Sequence, residues 1–353
     1  MYKEGFLMNA VNFQVNQDSF YDSHHSSIYI DRQDKMTVKS YESALRYELV
    51  QITKTLGEFF EREVLVNSIP IKRKQLPGCS LLDGEIKMFE TRYLVFSDTF
   101  VDSCGMSSHY KSLDTITSSF YEFVERQSLI LNYLAKSSAV KVDIKRYETV
   151  LSGHLYLKNF IDDISYYDIS LHPELHVILS IGTGNENKSV GLGTHNNLEQ
   201  ALLKSQNEMI QYFAGSTSKY NFTGNGYTFS ENEDFEMDKD YYHIRFEEIS
   251  PQELKEMYSY LQSSPYMKVA VPHNTNMELR KVVQDLYLKY AINPFVICIP
   301  SKRNIPNLKT TKIVDPLWFP HMNPSIYKPE LFDHIEGITG LRLDRACKFI
   351  PFP

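Results

Sequence analysis

The chain has 353 residues, with 37 Lys and Arg against 44 Asp and Glu, a formal charge of −7, and 42% hydrophobic residues. That is too apolar for a disordered chain, and the acidic balance argues against a nucleic-acid partner, because neutralising phosphates takes a basic face. No stretch approaches the roughly 18–20 apolar residues of a bilayer-crossing helix, the N-terminus lacks a cationic leader segment, and Cys79, Cys104, Cys298 and Cys347 form no close pair; the expectation is a cytoplasmic protein without membrane contact, disulfide framework or paired-cysteine zinc site.

In chain order, His24 and His25 fall in a polar segment expected to be loose. Apolar residues at alternating four- and three-residue steps (Leu45, Leu49, Ile52, Leu56, Phe59) predict a first helix over 41–69, stopped by Pro70. Residues 92–96 (RYLVF) predict a strand. Ile116, Phe120, Phe123, Ile130 and Leu134 predict a second helix over 112–136. The apolar run 175–181 (LHVILSI) reads as a buried strand. Gly182-Thr183-Gly184 and Gly191-Leu192-Gly193 then flank a polar loop; with neither GxxxxGK[ST] nor GxGxxG present, a hairpin turn is favoured over a phosphate cradle. A third helix is expected over 197–213, capped by Asn196 or Asn197. Residues 230–240 (SENEDFEMDKD) read as a solvated acidic insertion, and 295–299 (FVICI) as another buried strand. Without a regular βαβ rhythm or a low-complexity linker, the pattern favours an α+β fold, one domain with subdomains, helices packed on mixed or antiparallel sheets.

The first two helices carry the same motif. Glu58-Phe59-Phe60-Glu61-Arg62 stands on one and Glu122-Phe123-Val124-Glu125-Arg126 on the other, each with a Leu three residues after the Arg. Residues three apart on a helix lie above one another, so each motif projects two carboxylates from one face, beside the apolar stripe. Four carboxylates near a core repel and lose solvation unless a cation sits among them. Mg²⁺ suits them: it takes oxygen ligands, keeps waters and is shared with substrate phosphates; Arg62 and Arg126 could contact those phosphates or orient the neighbouring acids. The pattern equally fits two surface helices with solvent-facing ion pairs, so at this point both readings stand. Glu208 and Gln211 form a further i, i+3 pair on the third helix, with Lys204 one turn earlier. No HExxH or GxSxG is present, so covalent nucleophilic catalysis has no support.

LGEFFER (56–62), FYEFVERQSLILNYL (120–134) and the terminal KFIPFP resemble the YcaO family, and within it the cyclodehydratase subunits of microcin-B-type thiazole/oxazole synthetases. The resemblance implies one YcaO domain over 1–353, with a variable acidic insertion near 214–241. It implies ATP and Mg²⁺ as cofactors, with Glu58, Glu61, Glu122 and Glu125 as metal ligands. Ser107, Asp114, Glu122, Arg126, Lys204, Glu208 and Gln211 would contact ATP, and Arg126 and the terminal Pro353 would serve catalysis. The chain departs from the family where Ala44 replaces the Lys of a Gly-Lys-Gly stretch, Tyr110 an Asn, Asp114 a Glu and Lys204 an Arg.

The chemistry so implied starts with a Cys, Ser or Thr side chain of a ribosomally made precursor peptide attacking the preceding backbone carbonyl. ATP phosphorylates the hemiorthoamide oxygen, and loss of phosphate leaves a thiazoline or oxazoline. Implied partners are that peptide (a leader and a Cys/Ser/Thr-rich core), a leader-binding ThiF/E1-like subunit and an FMN-dependent azoline dehydrogenase. Thioamide or macroamidine formation and an ATPase-inactive scaffold are the rival readings; the proline-spaced tail favours azoline formation. Phe349, Ile350 and Phe352 gain little in water, so the tail is expected to dock rather than fray.

Overall fold

The computed structural model describes residues 12–20, 23–32, 35–44, 49–67, 74–96, 99–223, 241–267, 277–301 and 307–353. Their strands form three sheets, antiparallel throughout, beside helices: the α+β class expected. β1 (Asn12–Phe20), β2 (Ser23–Arg32) and β3 (Lys35–Ala44) make an N-terminal meander. His24 and His25 belong to β2, opposite Ser19 and Asp18, not to a loose segment. Next come α1 (Leu49–Asn67), β4 (Gln75–Ser80), β5 (Ile86–Glu90), β6 (Met106–His109) and α2 (Ser112–Ala135). β7 (Val140–Lys141), α3 (Glu148–Leu157), β8 (Asp163–Asp168), β9 (His176–Thr183), β10 (Lys188–His195) and α4 (Leu198–Thr223) follow. The chain continues through α5 (Tyr241–Glu248), α6 (Pro251–Met257), α7 (Leu279–Tyr290), β11 (Phe295–Cys298), β12 (Lys309–Val314) and α8 (Pro329–Thr339). One sheet has the order β5-β4-β11-β12-β6, the other β10-β9-β8-β7.

α2 lies between these two sheets, against β6 and β12 on one side and β9 and β10 on the other. Its stripe explains this position: Phe120, Phe123, Leu131 and Leu134 share one core cluster with Val177, Leu179 and Trp318. The helix stops at Lys136, which adopts a left-handed φ of 47°. The Lys136 ammonium then covers the Tyr133 ring at 3.3 Å, and the Asn132 amide donates to the Ser137 carbonyl at 3.1 Å. β9 is buried along its whole length, as a continuous apolar run requires. It forms a hairpin with β10, so the glycine-flanked loop is the turn expected there.

Three boundaries differ from expectation. The first helix begins at Leu49, since Tyr41–Ala44 pair with Ser27–His24 of β2; cross-strand pairing overrides the helical period there. The proposed strand 92–96 is instead a 3-10 turn at Thr91–Tyr93. The Leu94 and Val95 amides both return to the Thr91 carbonyl, at 3.0 and 3.2 Å, while their side chains fill the core below α1. The third helix runs on to Thr223, with the Asn197 side chain accepting from the Gln200 amide at 3.1 Å as its cap. The acidic run 230–240 lies outside the described residues.

The glycines of β10 serve helix packing. A Cβ on Gly191 would stand 1.9 Å from the Ser205 carbonyl oxygen, and one on Gly193 2.4 Å from that of Ala201. α4 therefore rests directly on the β10 backbone. Among the described residues no helix is long and apolar enough to cross a membrane.

Candidate active site

Two sheet edges frame the site. β6 ends the five-stranded sheet, and its Ser108 amide donates to Glu61 Oε1 at 2.7 Å. β10 ends the four-stranded sheet, and its Leu192 amide donates to Glu208 Oε2 at 2.5 Å. Each edge thus offers a leftover amide to a carboxylate on the helix covering it, α1 over β6 and α4 over β10. α2 runs between them and supplies Glu122, Glu125 and Arg126.

The two copies of the motif meet electrostatically. Burial drives the Glu122 carboxyl well above the usual range; Arg126 opposes the shift, while Glu61 and Glu125 add to it. Burial likewise pushes Glu61 up to about 8, against the Ser108 amide, which favours the charged form. Glu208 is raised by burial against the pull of Arg126. Arg126 loses solvation too, but Glu125 and Glu208 outweigh that and hold its proton more firmly. Its guanidinium lies 3.9 Å from Glu125 Oε1 and 4.0 Å from Glu208 Oε1, and 3.8 Å from Met322 Sδ. Glu58 pairs with Arg62 at 2.6 Å, one turn before Glu61 on the same helix.

Ionised together, these acids would carry more negative charge than the buried Arg126 balances, so their charged forms call for a cation, the chemistry of a site completed by one. Among the described residues no three His, Cys, Asp or Glu side chains gather closely enough to ligate one ion. A hard cation that keeps water and shares phosphate oxygens needs only one or two protein carboxylates, so the donor set fits Mg²⁺.

The other expected contacts are spread around this centre. Ser107 is buried in β6 beside Ser108. Asp114 is exposed in the first turn of α2. The Lys204 ammonium donates to the Thr194 carbonyl at 3.1 Å, lies 5.6 Å from the centre of the Tyr121 ring and feels Glu125. Gln211 is half-buried on α4, one turn past Glu208. The C-terminal tail is docked: Ile350 and Phe352 are buried in the main core, and Pro353 is partly exposed. The Phe352 ring stacks on the Arg126 guanidinium at 4.6 Å.

Sequence reasoning missed a polar centre next to Glu122. The Asp102 carboxylate accepts from the Met322 amide at 2.8 Å, the Tyr242 hydroxyl at 2.9 Å and the Cys104 amide at 3.1 Å. Lys312, 1% exposed, donates to the carbonyls of Asp102 at 2.6 Å and Leu94 at 3.4 Å. Burial of Asp102 would raise its pKa, but the Lys312 ammonium and the hydrogen bonds from Met322 and Cys104 hold it below the ordinary value. The available signal was a lysine inside the β-branched run TTKIV; the Asx turn at Asp102 marks a bend and not a site.

A family model described as "YcaO cyclodehydratase, ATP- and Mg²⁺-binding" matches residues 26–289. The Microcin B17-processing protein McbD of Escherichia coli is 28% identical over 271 residues, 71% of this chain and 63% of that protein. The fold resembles a chain of the E. coli microcin synthetase McbBCD complex at a TM-score of 0.72 and 20% identity, covering 100% of this chain and 99% of that one. It also resembles YcaO from Methanopyrus kandleri bound with AMPPCP and Mg²⁺, at a TM-score of 0.66 and 12% identity over 86% and 85% of the two chains.

Proposed function

The chain belongs to the YcaO family, and from that premise we propose that it is an ATP- and Mg²⁺-dependent cyclodehydratase. It would convert Cys, Ser or Thr residues of a ribosomally made precursor peptide to thiazolines or oxazolines. The carrying observation is the convergence of Glu61 from one motif copy and Glu122 from the other on a buried, acid-rich centre beside the stacked Arg126. The relative's name and the microcin synthetase complex support a peptide substrate and a multi-subunit assembly. A leader-binding ThiF/E1-like subunit and an FMN-dependent azoline dehydrogenase are the partners we assign. We read residues 1–353 as one YcaO domain, because the tail beyond the family match packs into the same core as α2.

In this reading Glu58, Glu61, Glu122 and Glu125 would hold Mg²⁺, which supplies charge neutralisation on the nucleotide phosphates. The Ser108 amide keeps Glu61 turned inward before any ligand arrives. Arg126 has two ion pairs longer than hydrogen bonds, so its donors can reach a phosphate oxygen without breaking a tight pair. Ser107, Asp114, Lys204, Glu208 and Gln211 would line the nucleotide, and the Pro353 carboxylate would orient the reacting amide or take its proton.

The decisive experiment is thermal unfolding with AMPPCP, with Mg²⁺ and with both. A ligand at 100 times its dissociation constant adds about 2.7 kcal/mol, so the pair together should raise Tm clearly. Glu122→Gln should abolish the dependence on Mg²⁺. With ATP, peptide and partners, the peptide should lose one water per ring by mass. No stabilisation by the pair in the native chain would remove the ATP-site reading.

A further inference from the structure

Two of the last three residues, Pro351 and Pro353, lack amide hydrogens and cannot donate from the backbone. The Phe352 amide turns back onto the Ile350 carbonyl at 2.8 Å, within the tail itself. The Pro351 carbonyl instead accepts from the Tyr258 hydroxyl at 3.1 Å, a buried bond to a residue just past α6. Tyr258 is 3% exposed, and its ring meets Tyr133 edge-on at 5.4 Å, so the hydroxyl has a fixed position. One residue beyond Pro351, the Phe352 ring covers Arg126. The pairs from Arg126 to Glu125 and Glu208, at 3.9 and 4.0 Å, are too long to fix the plane of a guanidinium, whereas an aromatic face does so directly.

We propose that Tyr258 is a positioning residue: by holding the Pro351 carbonyl, its hydroxyl keeps the Phe352 ring on Arg126 and thereby orients that guanidinium between Glu125 and Glu208. The inference rests on the reading of Arg126 as part of the ATP site. Tyr258 serves it from a distance, through two consecutive tail residues, and α6 becomes part of the machinery without contributing a group to it.

The test uses the full chain and Tyr258→Phe, which deletes one oxygen and keeps the ring packing. Two readouts need no ligand. Amide exchange in residues 347–352 should quicken at least about tenfold while α2 keeps its protection. Arg126 should also be labelled faster by phenylglyoxal, as read by peptide mapping. In Mg²⁺ buffer, kcat for ATP hydrolysis should fall about tenfold with KM for ATP changed less than about twofold, the signature of lost orientation. Phe352→Leu keeps the tail apolar but removes the ring, and should reproduce the labelling and kcat effects. The double variant should lose no more than the worse single one, because both act through one contact. Unchanged tail exchange or Arg126 labelling in Tyr258→Phe, or losses that multiply in the double variant, would overturn the proposal. If the native chain hydrolyses no ATP, the enzymatic reading falls by itself, and exchange and labelling still decide whether Tyr258 holds the tail.

Discussion

Glu61 shows how one side chain serves two masters. Its carboxylate is held by the Ser108 amide yet pushed up to about 8 by burial. Glutamine keeps the size and an acceptor for that amide while deleting the charge. Glu61→Gln should therefore unfold no earlier than the native protein without metal, while ATP turnover drops by at least about 100-fold, as loss of electrostatic stabilisation commonly costs. Glu125→Gln should lose turnover alike, though it also strips a charge partner from the buried Arg126 and should unfold earlier; native turnover in both variants would refute their assignment. A second residue sets a pH response. Burial lowers His321 to about 4, and its Nδ1 accepts from the Asn323 amide at 3.2 Å, so it folds neutral. Between about 4 and the ordinary 6.5, the unfolded chain takes up a proton that the folded one refuses. Stability from this group is complete above 6.5 and is lost as pH falls toward 4, by roughly 2 kcal/mol from pH 7 to 5. Urea midpoints of the native protein and His321→Asn at both pH values would isolate that slope; equal slopes would exclude the role.

Among the elements, the contact of α4 with β10 is the most exacting. Gly191→Ala places a methyl 1.9 Å from the Ser205 carbonyl, backbone against backbone, so α4 must lift and carry Lys204 and Glu208 with it. A loss of about 3 kcal/mol or more is expected by thermal or urea unfolding. Gly337, inside α8 with nothing within 4 Å of an added methyl, is the control: alanine there should stabilise by about 0.5–1 kcal/mol. The same contact explains what the sequence could reveal. Helical spacing alone located α2 and its paired acids, because a period of three to four residues and an exact motif echo are local properties. The hairpin of β9 and β10 was legible as a glycine-flanked turn, but not why its strand glycines matter, since their neighbour is a helix built from later residues. RYLVF misled because its apolar pair is buried from a turn as well as from a strand. Asp102 and Lys312 escaped because each is ordinary until Met322, Tyr242 and Leu94 converge on them from distant segments.

Across the whole molecule, two sheets share α2 as a common wall, and the site lies where their free edges face the covering helices. Asp102 ties this arrangement together through the 318–327 segment, whose Met322 touches both Asp102 and Arg126. Asp102→Asn should lower the melting temperature and ATP turnover together, unlike Glu61→Gln, because it leaves Lys312 buried beside a neutral group. The amides of Ser108 and Leu192 carry one further consequence. An unpaired strand edge is a template for a strand of another chain, and proteins commonly hide such edges. Here the carboxylates that would serve the nucleotide also occupy those amides, so the site's chemistry and the protein's resistance to clumping share the same atoms. The variant pair Glu61→Ala and Glu208→Ala should scatter more light on storage at high concentration than Asp114→Ala, which removes an exposed acid from the first turn of α2. Enzymes of this design would then tolerate replacement of their acids by glutamine in solution far better than replacement by alanine.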